Sequence, residues 1–135
     1  MKREIKFRIR YVSGKDDFKT IKTGYITLED LCTGGFWPDK GSFGDYVIRI
    51  ISTDEYTGLK DKNGTEIYEG DIVKYGRTKL WIVEIGEFQV ELHNIIEFCY
   101  GVYLIGNHDK FSFGQNMAYD MKVIGNIYDD PELIE

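Results

Sequence analysis

Apolar and polar residues alternate almost without interruption near the start of the chain. Over residues 5–11 the apolar positions are Ile5, Phe7, Ile9 and Tyr11, and the positions between them are Lys6, Arg8 and Arg10. A period of two places alternate side chains on opposite faces of a β-strand. This segment therefore predicts a half-buried strand with a basic outer stripe.

Other apolar segments extend the β pattern along the chain. We expect strands over residues 46–51, 80–85, 88–92 and 121–128. The second and third are predicted to be antiparallel neighbours joined at Gly86-Glu87, and the last to contain a bulge at Gly125. Residues 95–105 fit either a buried strand interrupted at Gly101 or a short helix over residues 94–100.

Two segments carry helix signals. Residues 25–31 fit either a short strand or a helical turn capped by Thr27. Pro131 follows two aspartates near the end of the chain, and proline is favoured at the first position of a helical turn. We therefore expect short helical turns between strands, and no long helix.

The strongest local signal is Asn63-Gly64, which predicts a hairpin because both residues tolerate positive φ. A two-residue turn would pair Lys62 with Thr65 and set Asp61 against Glu66, two like charges. A type I turn from Asp61, with Gly64 left-handed, instead pairs Asp61 with Thr65. It also sets Lys60 against Glu66 and Leu59 against Ile67. The charges favour this second register.

A second turn follows at once in residues 68–73, Tyr-Glu-Gly-Asp-Ile-Val. Gly70 supplies backbone freedom, and the Asp71 carboxylate is suited to bonding the nearby backbone. Such a turn is typical of small SH3-like barrels. Glu69 and Asp71 are also a possible acid–base pair, but a tight turn accounts for both carboxylates more simply.

Composition sets the fold class. The chain has 135 residues, 42% of them hydrophobic, with 15 Gly and only 2 Pro. These values favour a mainly β, antiparallel, barrel-like fold with an SH3-like barrel from about residue 54 onward. We expect one domain over residues 1–135, which divides, in the alternative, into two β sub-units of about 1–53 and 54–135 sharing a core.

Charge limits the classes of partner. The formal net charge is −6, so the surface as a whole does not favour non-specific binding of nucleic acid. The first 22 residues nevertheless hold eight Lys or Arg against three acids. Lys6, Arg8 and Arg10 are therefore candidates for binding phosphate or an acidic partner. The alternative is a solvated strand face paired with acids such as Glu55 or Glu91.

A glycine-rich segment over residues 33–45 carries three aromatic residues, Phe36, Trp37 and Phe43. Exposed aromatic side chains on such loops anchor binding partners, whereas the same residues folded inward cap a core. Both interpretations stay open at this point.

Catalytic and metal chemistry have weak support. Cys32 and Cys99 are far apart and lack metal-ligand spacing, so neither a metal, a cofactor nor a disulfide is predicted. Cys99, His108 and Asp109 are the residue types of a thiol hydrolase, but Cys99 lies in an apolar run typical of a core. No apolar run is long enough for a secretory signal or a membrane helix of about 20 residues, which predicts a cytoplasmic protein.

Three blocks together resemble one family. They are residues 3–8, Arg-Glu-Ile-Lys-Phe-Arg; the central residues 56–73; and residues 123–128, Val-Ile-Gly-Asn-Ile-Tyr, followed by Pro131-Glu-Leu. In this order they resemble the YopX family of phage and prophage proteins of Gram-positive bacteria. The central residues that carry the resemblance are Tyr56, Thr57, Gly58, Asp61, Gly64, Tyr68, Glu69, Gly70 and Asp71.

The resemblance implies a mainly β protein of a phage or prophage with no assigned enzymatic activity, acting in the bacterial host cell. Because every residue of the central block has a structural explanation, we expect function to lie outside it. The leading hypothesis is a non-catalytic module that binds a protein partner or itself. The alternative is a nucleic-acid-binding accessory protein that uses the N-terminal basic strand.

Overall fold

The computed structural model of the chain describes residues 4–33, 48–76, 79–106 and 110–134. Strands make up 58% and helices 13% of the structure, and the strands form two antiparallel sheets. The predicted mainly β, antiparallel class with short helical turns is confirmed. Over the described residues the sheets are curled and no closed barrel is formed, so the SH3-like barrel stays a prediction.

The first compact unit spans residues 1–56. It holds strand β1 (Lys6–Ser13), a 3₁₀ turn (Gly14–Asp16), strand β2 (Lys22–Thr27) and helix α1 (Leu28–Thr33). Strand β3 (Ile48–Lys60) begins here, and β1 lies between β2 and β3. Ile9, Tyr11 and Ile26 form the buried apolar cluster of this unit.

The second compact unit spans residues 57–135. After the end of β3 it holds β4 (Glu66–Tyr68), β5 (Asp71–Lys74), β6 (Leu80–Leu92), β7 (Ile95–Ile105), β8 (Lys110–Ser112), α2 (Gln115–Ala118), β9 (Lys122–Asn126) and a 3₁₀ turn (Pro131–Ile134). The five-stranded sheet has the order β8-β7-β6-β5-β9. Its core contains Ile67, Val73, Trp81, Val83, Leu104, Ala118 and Met121.

The boundary between the two units follows Tyr56, in the middle of β3. Each unit has an apolar cluster of its own among the described residues. The single domain over residues 1–135, and its alternative of two sub-units of about 1–53 and 54–135 sharing a core, stay predictions.

Local turn predictions are confirmed where hydrogen bonds define them. The Asp61 amide donates to the Thr65 carbonyl (2.9 Å), and the Gly64 amide donates to the Asp61 carbonyl (3.0 Å). Gly64 has a φ of +80°. This is the predicted type I turn followed by a left-handed glycine, and it excludes the pairing of Lys62 with Thr65.

Helix α1 begins as its sequence predicts. The Asp30 amide donates to Thr27 Oγ1 (3.1 Å), and the Thr27 amide donates to Asp30 Oδ2 (2.9 Å). This reciprocal cap satisfies two backbone donors and ends β2 at Thr27. The segment therefore contains both of the predicted structures, a strand and then a helical turn.

The bulge in the last strand is also confirmed. The β5–β9 register moves from Ile72 opposite Gly125 to Val73 opposite Val123, so Ile124 is the extra residue. One prediction is wrong: Gly86-Glu87 does not join two strands, because β6 runs straight through it from Leu80 to Leu92. Its partner is β7, which also continues through Gly101 and leaves no room for a helix there.

Candidate interaction surfaces

The basic stripe of β1 is not a solvated surface. Arg8 and Arg10 expose only 8% and 4% of their surface, and Asp54 of β3 exposes 1%. Asp54 Oδ2 accepts from Arg8 Nε (3.0 Å) and from Arg10 Nη1 (2.7 Å). Arg8 lies directly opposite Asp54 in the β1–β3 register. The prediction of an exposed basic stripe is therefore wrong at these two positions.

Lys6 also interacts with neighbouring side chains. Its ammonium lies 4.9 Å from the centre of the Tyr56 ring and 3.6 Å from Glu4 Oε1. Only 15% of its side chain is exposed. The sequence pattern placed these three cations on one face correctly, but it could not show that a buried aspartate holds two of them. Asp54, which accepts from both arginines, was not among the acidic neighbours that the sequence suggested.

Several sequence candidates lie outside the part of the chain that the structure describes. They are Phe36, Trp37 and Phe43 of the glycine-rich segment, His108 and Asp109, and the side chain of Cys99. The hypotheses attached to them stay predictions.

Asp61 is the centre of the segment with the family resemblance. It is 2% exposed. Its Oδ1 accepts from the amides of Asn63 (2.8 Å) and Thr65 (2.9 Å), and its Oδ2 accepts from the Val123 amide (2.9 Å). One carboxylate thus shapes the turn and joins it to the start of β9. All three contacts are to backbone donors, which supports the predicted structural role.

The neighbouring residues of that segment have similar roles. Thr57 Oγ1 donates to the Ile67 carbonyl (2.7 Å), and Asp71 Oδ2 accepts from the Tyr68 amide (2.8 Å). Gly58 and Gly70 have φ values of +85° and +87°, which residues with a Cβ rarely adopt. The Tyr68 hydroxyl reaches Glu66 (3.1 Å). Tyr56 and Asp71 are buried, and Glu69 lies in the turn. The bonds described here shape the backbone of this segment.

A small apolar pocket of about 260 Å³ opens beside the core of the second unit. Its described lining residues are Tyr75, Gly76, Trp81, Leu104, Phe111 and Met117. The Trp81 and Phe111 rings lie 5.1 Å apart at an angle of 59°. Ligand pockets commonly hold about 300–1,000 Å³. This one therefore has room for an apolar side chain more readily than for a larger cofactor.

The Trp81 ring that lines this pocket packs closely against Gly106. A Cβ at this position would lie 2.7 Å from Trp81 Cε3, so only glycine leaves room for the indole ring. The Lys79 ammonium lies over the same ring, 5.7 Å from its centre.

The second candidate surface is the distal part of the β6–β7 hairpin, residues 85–102, which we call the arm. Eight consecutive residue pairs connect its two strands, from Ile85 opposite Val102 to Leu92 opposite Ile95. At about 3.3 Å per residue the arm is roughly 25 Å long. In the described residues β5 pairs with β6 only at Leu80–Ile82, and β8 pairs with β7 only at Tyr103–Ile105.

Beyond the contacts at Val83 and Val102, the outer edges of the arm have no backbone partner among the described residues. The Val83 carbonyl accepts from Gly70 (2.7 Å) and the Val102 carbonyl accepts from Phe113 (3.3 Å), so both point outward from the hairpin. Because the β6–β7 register has no shift, every second residue beyond Val83 has the same orientation. The backbone groups of Glu87, Gln89 and Glu91 therefore face away from β7.

The arm exposes large apolar side chains. Tyr100 is 74% exposed, and Ile95 and Ile96 are each 60% exposed. An isolated two-stranded hairpin is only marginally stable in water, and open strand edges with apolar side chains are templates for pairing with another chain. These properties distinguish the arm from the base of the same hairpin, where Val83 and Leu104 are buried.

The arm is also acidic. Between Lys79 and Lys110 the sequence has no Lys or Arg, and the arm itself contains Glu87, Glu91 and Glu97. Glu87 and the intervening Gln89 are exposed. Acidic and open-edged, the arm is unsuited to phosphate and suited to a cationic partner.

The turn at the end of the arm has an unusual sequence. His93 and Asn94 both have positive φ, +53° and +66°. Two consecutive left-handed residues between paired strands define a type I′ turn, in which Asn-Gly is the favoured sequence. Because position 94 is Asn and not Gly, His93-Asn94 is a weaker sequence signal for a hairpin than Asn63-Gly64.

Tyr103 and Glu84 lie opposite each other at the base of the arm. The Tyr103 hydroxyl donates to Glu84 Oε2 (3.3 Å). Burial, and then the negative charge of Glu84, raise the pKa of Tyr103 above its ordinary value of 10.0. The tyrosine is therefore a neutral hydrogen-bond donor at physiological pH.

The described residues contain no group of three or more His, Cys, Asp or Glu placed to hold a metal ion. Among the helices that the structure describes, none has the length and apolar character needed to span a bilayer.

Comparisons with known proteins show a family and a similar solved structure. A family model described as YopX protein matches residues 13–135. The crystal structure of protein EF1440 from Enterococcus faecalis is 29% identical to this chain, covering 86% of it and 69% of the EF1440 chain, with a TM-score of 0.36. No curated protein matches the chain.

Proposed function

The chain belongs to the YopX family, and we propose that it is a protein-interaction module without enzymatic activity whose binding surface is the arm. In this proposal the protein is encoded by a phage or prophage and acts in the cytoplasm of the bacterial host. The proposal extends the family membership, which by itself assigns no biochemical role.

One observation carries the proposal: the arm combines open strand edges with exposed large apolar side chains. Ile95, Ile96 and Tyr100 lie within six residues of one another and are each at least 60% exposed. Exposed apolar groups of this size on a soluble surface mark sites of interaction. Tyrosine is also enriched among the residues that dominate binding energy at protein interfaces.

Nucleic acid is a weaker candidate than protein for the partner. The sequence suggests Arg8 and Arg10 as its binding surface. Both are at most 8% exposed and are bound to Asp54. The arm carries three Glu and no Lys or Arg. Phosphate binding needs accessible positive charge, and neither surface provides it.

A photo-crosslinking amino acid at position 100 tests the proposal in host cells after infection or prophage induction. A matched control carries it at Tyr119, which is 60% exposed but lies in the turn after α2. We expect a nuclease-resistant adduct with one protein from position 100 and none from position 119. The purified partner should then bind the wild-type protein.

Equal adducts from the two positions, or an adduct that nuclease removes, would contradict the proposal. Adducts between copies of this chain at position 100 would identify the partner as a second copy.

A further inference from the structure

We infer that the arm takes up a basic, extended protein segment as an additional strand along the outer edge of β6. Lys or Arg residues of that segment would alternate with apolar residues. This inference rests on the proposed function and adds the chemistry and the geometry of the partner.

The backbone of β6 provides the first part of the argument. Its pairing with β5 ends at Ile82, and the last outward contact is from the Gly70 amide to the Val83 carbonyl. The outward amides and carbonyls of Glu87, Gln89 and Glu91 then continue the same ladder with no described strand opposite them. An added strand there would extend an existing sheet edge, which is the usual mode of β-augmentation.

The sequence of β6 provides the second part. Residues 87–92 are Glu-Phe-Gln-Val-Glu-Leu, a strict alternation of charged or polar with apolar positions. Residues directly opposite each other on paired strands interact, and opposite charges there are favourable. A strand that pairs with this edge should therefore repeat the alternation, with Lys or Arg opposite Glu87.

Charge also selects against two other occupants. A second copy would set one acidic arm against another, since the arm carries three Glu and no cation. Like charges directly opposite each other are destabilising. Single-stranded or double-stranded nucleic acid would place its phosphates against the same carboxylates.

The test measures binding of short capped fluorescent peptides to the whole protein by anisotropy. The first peptide alternates Lys with Val and Ile. The second has the same composition with all the lysines in one block, and the third replaces Lys by Glu. We expect the alternating basic peptide to bind most tightly, with affinity falling as salt rises, and the acidic peptide not to bind.

Two variants test where the peptide binds. Glu87→Lys with Gln89→Lys makes the arm neutral and should weaken binding about tenfold or more. Its control is Glu132→Lys, a charge reversal at an exposed residue of the last 3₁₀ turn, which should leave binding unchanged.

Gln89→Pro tests strand addition itself. The Gln89 amide points away from β7, so proline there removes an edge donor without removing a bond of the β6–β7 ladder. We expect Gln89→Pro to abolish peptide binding and Gln89→Ala to retain it. Hydrogen exchange of the arm amides would verify that the hairpin remains formed in both.

The outcomes separate this inference from the proposed function. If position 100 crosslinks a protein but the basic peptide binds no better than its acidic counterpart, the inference is wrong and the proposed function stands. Unchanged binding by Gln89→Pro, or by the double lysine variant, also overturns it. If position 100 yields no adduct, the proposed function fails whatever the peptides do.

Discussion

The carboxylate of Asp54 explains why the arginines of the N-terminal strand are buried. Asp54 accepts hydrogen bonds from both Arg8 and Arg10 and is almost fully buried with them. Removing one member of a buried ionic group leaves the others without compensation, which costs more than an exposed ion pair is worth. Arg8 and Arg10, which the sequence predicts as binding residues, therefore stabilise the fold of the first unit.

Asp54→Ala should accordingly be strongly destabilising. We expect a loss of about 3 kcal/mol or more in the free energy of unfolding, measured by urea denaturation. Asp120→Ala is the control, because that aspartate is exposed, and its effect should be within about 0.5 kcal/mol. Equal stability of the two variants would contradict the assignment of Asp54 as the centre of the cluster.

Asp61 offers a similar test in the second unit. Its carboxylate accepts from three backbone amides. Asp61→Ala should cost about 2–3 kcal/mol in the free energy of unfolding, because those donors lose their acceptor. Asp61→Asn retains an oxygen for Asn63 and Thr65 and should be intermediate. The account would be wrong if Asp61→Ala were no worse than Lys62→Ala at the exposed position beside it.

Tyr103 gives the second unit a pH dependence in the alkaline range. Its folded pKa is raised, mainly by burial and then by Glu84, so the unfolded chain loses the phenolic proton first. The folded state binds more protons there, and stability must fall as pH rises above about 10.

Tyr103→Phe should remove this part of the alkaline loss. At neutral pH it should cost about 0.5–1.5 kcal/mol, because the hydrogen bond to Glu84 is lost. Urea unfolding of both proteins at neutral pH and above pH 10 measures the difference. An identical alkaline decline in the two proteins would show that Tyr103 is not responsible.

At the scale of elements, the β6–β7 hairpin has two parts with different surroundings. Its base is held by β5 on one side and β8 on the other, and apart from the bond of Phe113 to Val102 its arm has no described backbone neighbour on either edge. The arm therefore depends on its own ladder and on its type I′ turn. Such weakly held elements are commonly those that change on binding.

The turn at His93-Asn94 provides a way to vary the stability of the arm alone. Asn94→Gly should stabilise it, because glycine adopts positive φ without strain, whereas Asn94→Val should destabilise it. Hydrogen exchange should show slower exchange of arm amides in the first variant and faster exchange in the second. Amides of β5 and β9 should be unaffected, and the reverse order would contradict the type I′ assignment.

Local sequence signals predict much of the backbone. The Asp61–Gly64 turn, the cap of Thr27 with Asp30 and the bulge beside Gly125 each follow from residues close together in sequence. The continuous β6 strand is missed because Gly86 is a turn signal, and only its pairing with Gly101 keeps it in a strand. Long-range pairing overrides local propensity there.

Surface features also divide into those that the local sequence predicts and those that depend on residues far apart in the chain. The pattern at Lys6, Arg8 and Arg10 correctly indicates one face, but its burial depends on Asp54, more than forty residues away. The apolar pocket likewise combines residues from Tyr75 to Met117, and no local pattern joins them. A search for long stretches lacking Lys and Arg would have drawn attention to the arm, although not to its open edges.

At the scale of the whole molecule, the two compact units differ in which charged and apolar residues they expose. In the first, Arg8 and Arg10 of β1 are enclosed with Asp54. In the second, an acidic arm with exposed apolar residues extends a sheet built on a well-packed core. The central claim is that this arm, and not the basic strand, is the surface through which the protein acts.

Shortening the arm tests that claim most directly. Residues 87–100 are replaced by Asn-Gly, which connects Gly86 to Gly101 as a two-residue turn between positions that already face each other. The partner is the protein identified beforehand by crosslinking at position 100. The measurement is how much of it the shortened and the wild-type protein, both without a crosslinker, recover from induced host cells. Thermal unfolding shows whether the shortened protein is folded. We predict a retained cooperative transition and complete loss of the partner; recovery of the partner at the wild-type level by the folded, shortened protein would contradict the account.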